Sequence, residues 1–189
     1  MVGYLADPPS SEESRALFDE DVADVGYVMN LTRLWAYQPA SLDGLFGLLR
    51  AATPSLTFRQ KAILVSAAAS AFGDPYCSLA WGSRLARVAG DTAAGAVLEG
   101  DDAGLDPAEA AMAGWARSVA RSPFSVSPAD VDALREAGFA DADIFAMTVF
   151  VALRLAFSTV NNALGATPDD RLRAEAPDAV RAAVASAEG

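Results

Sequence analysis

The stretch from Arg59 to Arg87 constrains this chain most: two helical segments meet at Gly73-Asp74-Pro75, with the only cysteine, Cys77, just past the joint. The first segment, ending at Phe72, strings together small and branched apolar residues around Ala67-Ala68-Ala69 and is too rich in alanine to be a strand. It reads as a buried helix. Gly73 supplies a helix stop, Asp74 an N-capping oxygen and Pro75 the preset φ of a first helical position, so a second helix starts there. Cys77 falls in its first turn. Unpaired N–H groups and the positive dipole end favour a thiolate at that point, whereas the Asp74 carboxylate works against one.

The same cap-and-proline signals recur along the chain and predict helices throughout. Ser10 or Ser11 caps an acidic helix to about Val25; Asn30 to Pro39 forms a short helix or turn; Ser41 caps a helix over Leu42 to Ala52. Asp91 opens a helix to about Glu99. Asp106-Pro107 with Glu109 launches another through Trp115, and Ser127-Pro128 a third that stops at Gly138. The apolar run from Ile144 to Phe157 holds Arg154 in its interior and is too short for a membrane span, so it reads as a buried helix whose cover comes partly from a second subunit. Thr167-Pro168-Asp169-Asp170 reads as an exit turn, and a last amphipathic helix follows Ala176-Pro177. No stretch alternates in the manner of a strand. The fold class is all-α, in one domain over residues 1–189, with residues 1–9 as a mobile Pro-rich arm.

Composition excludes whole classes of chemistry. There is no histidine, which removes His-based triads, Cys–His dyads and imidazole zinc sites; a single cysteine removes thiolate-clustered metal and an internal disulfide. No phosphate-binding loop or dinucleotide fingerprint is present. The acids of Gly100-Asp101-Asp102-Ala103-Gly104 lack the alternating ligands of a calcium loop and read as a solvated turn. A formal net charge of −11 repels a phosphate backbone, so nucleic acid is not an expected partner, and neither is a membrane. The N-terminus shows neither a basic start nor an apolar run of signal length, and the expected location is the cytoplasm.

The string Tyr76-Cys77-Ser78-Leu79-Ala80-Trp81-Gly82, on a helix that follows an alanine-rich one, resembles the carboxymuconolactone decarboxylase and alkylhydroperoxidase D-like superfamily, in its peroxidase-related branch. Val28-Met29-Asn30-Leu31-Thr32-Arg33 with Gln38-Pro39 resembles the upstream segment of that branch, and Ala129 to Phe139 with Asn161-Asn162-Ala163-Leu164-Gly165 its downstream half. The resemblance implies a helical bundle around a central hairpin, without sheet, cofactor or metal, assembled as a homo-oligomer. Peroxidase members use a C-x-x-C-x-x-x-H motif preceded by a glutamate one helix earlier. Carried over, these positions fall on Asp74, Cys77, Trp81 and about Ala62, so one of the four groups is retained.

What the resemblance implies is therefore a peroxidase-related oxidoreductase, with Cys77 as nucleophile in a one-cysteine cycle fed by a small hydroperoxide and an external thiol reductant. The alternatives are a non-catalytic binding or assembly module that keeps the fold, and a thiol-independent enzyme like the lactone decarboxylases. Cys77 is equally a packing residue. Asp74 is a candidate base beside it and a helix cap; Tyr76 and Trp81 are candidate pocket residues, the latter also a space filler. Arg154 needs a partner, an ion pair with a surplus carboxylate being expected ahead of a substrate anion. Tyr76 and Asn161 are further polar groups near the site without an assignable role.

Overall fold

The structure, a computed structural model describing residues 3–188, runs through eleven α-helices and no β-sheet among those residues. They are α1 (Glu12–Val25), α2 (Asn30–Trp35), α3 (Pro39–Ala52), α4 (Phe58–Phe72), α5 (Pro75–Ala89), α6 (Asp91–Glu99), α7 (Pro107–Arg121), α8 (Pro128–Glu136), α9 (Asp141–Ala163), α10 (Asp170–Glu175) and α11 (Asp178–Glu188). Met1 and Val2 of the expected arm lie outside the described residues. Further along that segment the Tyr4 N–H donates to the Leu164 carbonyl at 2.9 Å, and the Tyr37 hydroxyl donates to Ala6 O.

The central hairpin forms from its local signals. Thr57 and Gln60 cap α4 reciprocally: the Gln60 N–H donates to Thr57 Oγ1, and the Thr57 N–H to Gln60 Oε1. At the other end Gly73 adopts φ +77°, a conformation open to glycine at little steric cost, and the Asp74 N–H reaches back to Ala69 O. Asp74 Oδ1 then accepts the Cys77 N–H at 2.9 Å, and Pro75 occupies the first helical position of α5. A helix that is apolar on every side must be covered on every side. Residues 62–69 of α4 are all buried, against α5, α6, α7 and α9.

Small residues let these helices approach closely. At Gly82 of α5 a Cβ would stand 2.8 Å from Leu98 Cδ1 of α6 and 2.9 Å from Val180 Cγ1 of α11, so this crossing admits no side chain without a shift. Arg59 ties three elements together. Its guanidinium grips Glu109 of α7 through Nε at 2.5 Å and Nη2 at 2.8 Å, while Nη1 donates to Val88 O at the end of α5.

Three local expectations are corrected. α3 begins at Pro39 rather than after Ser41, since proline presets the first helical φ and the Ser41 hydroxyl bonds Gln38 instead of capping. Asp102 is not simply a solvated turn acid: the buried Arg117 holds it by two bonds of 2.7 and 2.8 Å and also donates to Val97 O. The segment after Asp169 turns once more into helix, α10, where an exit turn was expected.

α9 is the one described helix long and apolar enough to cross a membrane by length and composition. It carries Arg154 and packs against α3, α4, α7 and α8. Phe145, near its start, stands 72% exposed.

Candidate functional site

Cys77 has a dipole-end position on α5, but its surroundings decide its chemistry. The side chain is 2% exposed and packs with Ala69 and Phe157. Arg154 Nη2, from α9, donates to Sγ at 3.5 Å, and the Ser158 hydroxyl, one turn on, donates to it at 3.7 Å. Burial pushes the thiol up to about 12. The Arg154 charge opposes that rise, whereas the Asp74 charge and hydrogen bond add to it. At neutral pH the resting sulfur is a thiol, held between a cation and a carboxylate.

Arg154 is 6% exposed and has no carboxylate partner, in contrast to the ion pair expected from sequence. Its guanidinium carbon lies 5.2 Å from the ring centroids of both Trp81 and Phe157. Its Nε is buried without a hydrogen-bond partner. The reason is geometric: α9 brings Arg154 against Cys77 and Trp81 of α5, and no acid of the described residues stands within ion-pair distance of it. Aromatic faces partly replace the missing anion, as the negative face of an indole attracts a cation.

In front of this layer opens a cleft of about 750 Å³, lined on one side by Cys77, Trp81, Arg84 and Arg87 of α5 and on others by Leu31, Phe46, Arg154 and Phe157. Its size is ample for a small organic molecule. The positions 77, 81 and 84 follow helical spacing of four and three, so one face of α5 presents thiol, indole and guanidinium in a row. Trp81 is half-buried; besides Arg154 it has the Arg84 guanidinium carbon 5.2 Å from its centroid and the Phe58 ring at 6.3 Å. Arg84 donates to Ala80 O on its own helix, and burial together with the like charges of Arg154 and Arg87 lowers its pKa. Arg87 is exposed. Two acids share the rim, Asp24 and Glu175, and Glu175 is engaged by Arg171 at 2.8 Å.

The sequence-derived residues divide. Cys77 and Trp81 both line the cleft. Tyr76 also borders it, yet its hydroxyl donates to Asp169 Oδ2, with burial and that bond raising the phenol well above its ordinary range. Asp169 Oδ1 in turn accepts the Asn30 N–H at 3.0 Å, so Tyr76 fastens the entries of α2 and α10 to α5. Asp74 lines a different space, a crevice of about 40 Å³ beside Ser70, Ser78 and Ala183. One of its oxygens caps the Cys77 N–H, and the other, Oδ2, is buried without a hydrogen-bond partner. Asn161 lies behind the site, where its Oδ1 accepts the Trp35 Nε1–H at 2.8 Å.

Sequence reasoning missed Arg84 and Arg87 as cleft residues. Their signal was present in the spacing Cys77, Trp81, Arg84 on one helical face. Among the described residues no cluster of three or more Cys, Asp or Glu side chains is arranged to hold a metal ion.

No family profile matches the chain, and no curated protein does. Solved structures do. The chain is similar to an alkylhydroperoxidase AhpD core, a peroxidase-related protein from Ralstonia eutropha JMP134, at 24% identity and a TM-score of 0.75, over 91% of this chain and 95% of that one. A peroxidase-related protein from Silicibacter sp. TM1040 matches at 19% identity and a TM-score of 0.78, over 90% and 94% of the two chains. The debrominase Bmp8 matches at 17% identity and a TM-score of 0.72, over 97% of each chain, and a Cys-to-Ala variant of it has been crystallised with 2,3,4-tribromopyrrole. The fold is the alkylhydroperoxidase AhpD-like one.

Proposed function

We propose that this protein is a peroxidase-related oxidoreductase in which Cys77 reduces a small organic hydroperoxide in the cleft and an external thiol restores it. The observation that carries the reading is the setting of the sulfur: the chain's one thiol borders a cleft of about 750 Å³, 3.5 Å from a buried guanidinium that no carboxylate neutralises. A developing thiolate there meets the Arg154 charge in a water-poor layer, where such an interaction is worth most. Asp74, with Oδ2 unpartnered and its charge already felt by the sulfur, is the proton acceptor this site has in the absence of histidine. The likeness to two peroxidase-related proteins supports the class of chemistry.

In the proposed cycle Cys77 Sγ attacks the terminal peroxide oxygen and the O–O bond breaks. Sulfur is oxidised by two electrons to a sulfenic acid, and the thiol proton ends on the alkoxide, giving the alcohol. A first external thiol condenses with the sulfenic acid and releases water. A second releases Cys77 and leaves as the disulfide, a sequence suited to a reducing compartment such as the cytoplasm.

A second reading has one observation in its favour. A thiol 2% exposed and raised to about 12 is a poor resting nucleophile, which suits a non-catalytic binding module that keeps the cleft. Steady-state consumption of cumene hydroperoxide with excess dithiothreitol separates the two. The expected result is turnover that falls to the rate of dithiothreitol alone in Cys77→Ser and by at least about tenfold in Asp74→Asn. Wild-type protein no faster than buffer removes the oxidoreductase reading and leaves the binding one.

A further inference from the structure

The chemistry of the cleft also restricts what enters it. We infer that its natural ligand is a small apolar, aromatic-compatible molecule bearing a carboxylate, with the acid group held by Arg84 and Arg87 and the body lying on Trp81 and Phe157 towards Cys77. This deepens the reading above, for which it names the substrate class as hydroperoxides of carboxylic acids.

Three guanidinium groups face one cleft in a chain that carries 14 basic residues against 25 acidic ones. None of the three is paired with a carboxylate. Arg154 is turned to the thiol and the rings, Arg84 bonds only a carbonyl of its own helix, and Arg87 makes no hydrogen bond to another described group. Like charges gathered without counterions repel, and this repulsion adds to burial, the larger cause, in lowering the pKa of Arg84. In an acidic protein the inexpensive solution is a neighbouring Asp or Glu. The two acids on the rim do not serve: Glu175 is committed to Arg171, and Asp24, at the end of α1, forms no ion pair with Arg84 or Arg87. An anion from solution completes the site.

The division of labour among the three follows from depth. Arg154 is buried behind the indole and within hydrogen-bond reach of Sγ, and an acid placed on it would cancel the charge that steadies the thiolate. Arg84 and Arg87, three positions apart and one to two turns further along α5, present planar donors nearer the solvent. A carboxylate there leaves the floor of the cleft to an apolar body, and Leu31, Phe46 and Phe157 provide apolar walls. The reacting group of such a molecule then points along α5 towards Cys77.

The test compares 4-phenylbutyrate with 4-phenylbutanol, probes of similar shape that differ in charge, by calorimetry on the wild type and on Cys77→Ser, which cannot turn over. The acid is expected to bind at least about tenfold more tightly than the alcohol in both proteins, with the advantage shrinking as salt is raised. Arg84→Met is expected to bring the two within about twofold, and Arg87→Glu, at an exposed position where folding is not at risk, to favour the alcohol. Equal binding of the two probes to the wild type, or a preference indifferent to both substitutions, overturns the inference. Acid binding without hydroperoxide turnover sinks the oxidoreductase reading alone, and turnover without acid preference sinks this inference alone.

Discussion

Phe157→Ala is expected to destabilise the protein by about 3–5 kcal/mol, the largest single-residue effect in the site. The ring is 3% exposed and is shared by several neighbours. It stacks on Trp35 at 5.3 Å between centroids with an 8° interplanar angle, takes Phe46 edge-on at 5.7 Å, and carries the Arg154 guanidinium 5.2 Å from its centroid. Truncation therefore removes buried apolar area, two aromatic pairs worth about 0.5–1.5 kcal/mol each, and one of the two faces that partner an otherwise unpaired cation. The resulting void adjoins Cys77, so alkylation of the thiol should accelerate as the fold loosens. Urea unfolding followed by far-ultraviolet dichroism reads the first effect and iodoacetamide kinetics the second. Phe157→Leu should cost clearly less, and a loss below about 1 kcal/mol in the alanine variant would mean that the aromatic layer is not what holds α9 to α2 and α3.

The second large effect is alkaline. Cys77 has an ordinary pKa of 9.0 and is pushed up to about 12 in the fold, chiefly by burial and further by Asp74, against the pull of Arg154. The folded state thus holds this proton more tightly than the unfolded chain does. Its contribution is fully present below about pH 9 and is lost as pH rises to about 12, at about 1.4 kcal/mol per unit and about 4 kcal/mol in all. Tyr76 acts in the same sense above its ordinary pKa of 10.0, being raised by burial and by its bond to Asp169. Urea unfolding at pH values from about 8 to 11 should show stability falling from about pH 9, steepening past pH 10. Cys77→Ala should remove the first part of that slope and Tyr76→Phe the second. A slope that Cys77→Ala leaves unchanged would mean that solvent reaches the thiol.

How much of this was legible in the sequence depended on how local the cause was. The joint Gly73-Asp74-Pro75 specifies its own conformation: glycine for φ +77°, aspartate for the Cys77 N–H, proline for the first turn. The start of α5, and with it the place of Cys77, could be read directly. α10 could not, because Asp-Arg-Leu-Arg-Ala-Glu has no apolar period; Tyr76 and Asn30, far away in sequence, hold the Asp169 carboxylate that begins it. The row of Cys77, Trp81 and Arg84 was implicit in helical spacing, whereas the arrival of Arg154 at the sulfur spans 77 positions and depends on how α9 packs against α3, α4 and α7. The sequence raised the expectation of a carboxylate for Arg154 from the cost of an unpaired buried charge. The structure meets part of that cost with two aromatic faces and a thiol, and leaves the rest for whatever enters the cleft.

The central claim, that Cys77 is a working thiol, is tested most directly by trapping its oxidised form. Native protein at neutral pH is mixed with one equivalent of cumene hydroperoxide in the presence of dimedone, and the Cys77 peptide is followed by mass spectrometry alongside a urea-unfolded control. The account predicts a dimedone adduct on Cys77 that forms faster in the folded protein than in the unfolded one, and more slowly in Arg154→Met, because the fold supplies the cation and the proton acceptor. An adduct that forms only after unfolding would contradict it and identify Cys77 as a packing residue.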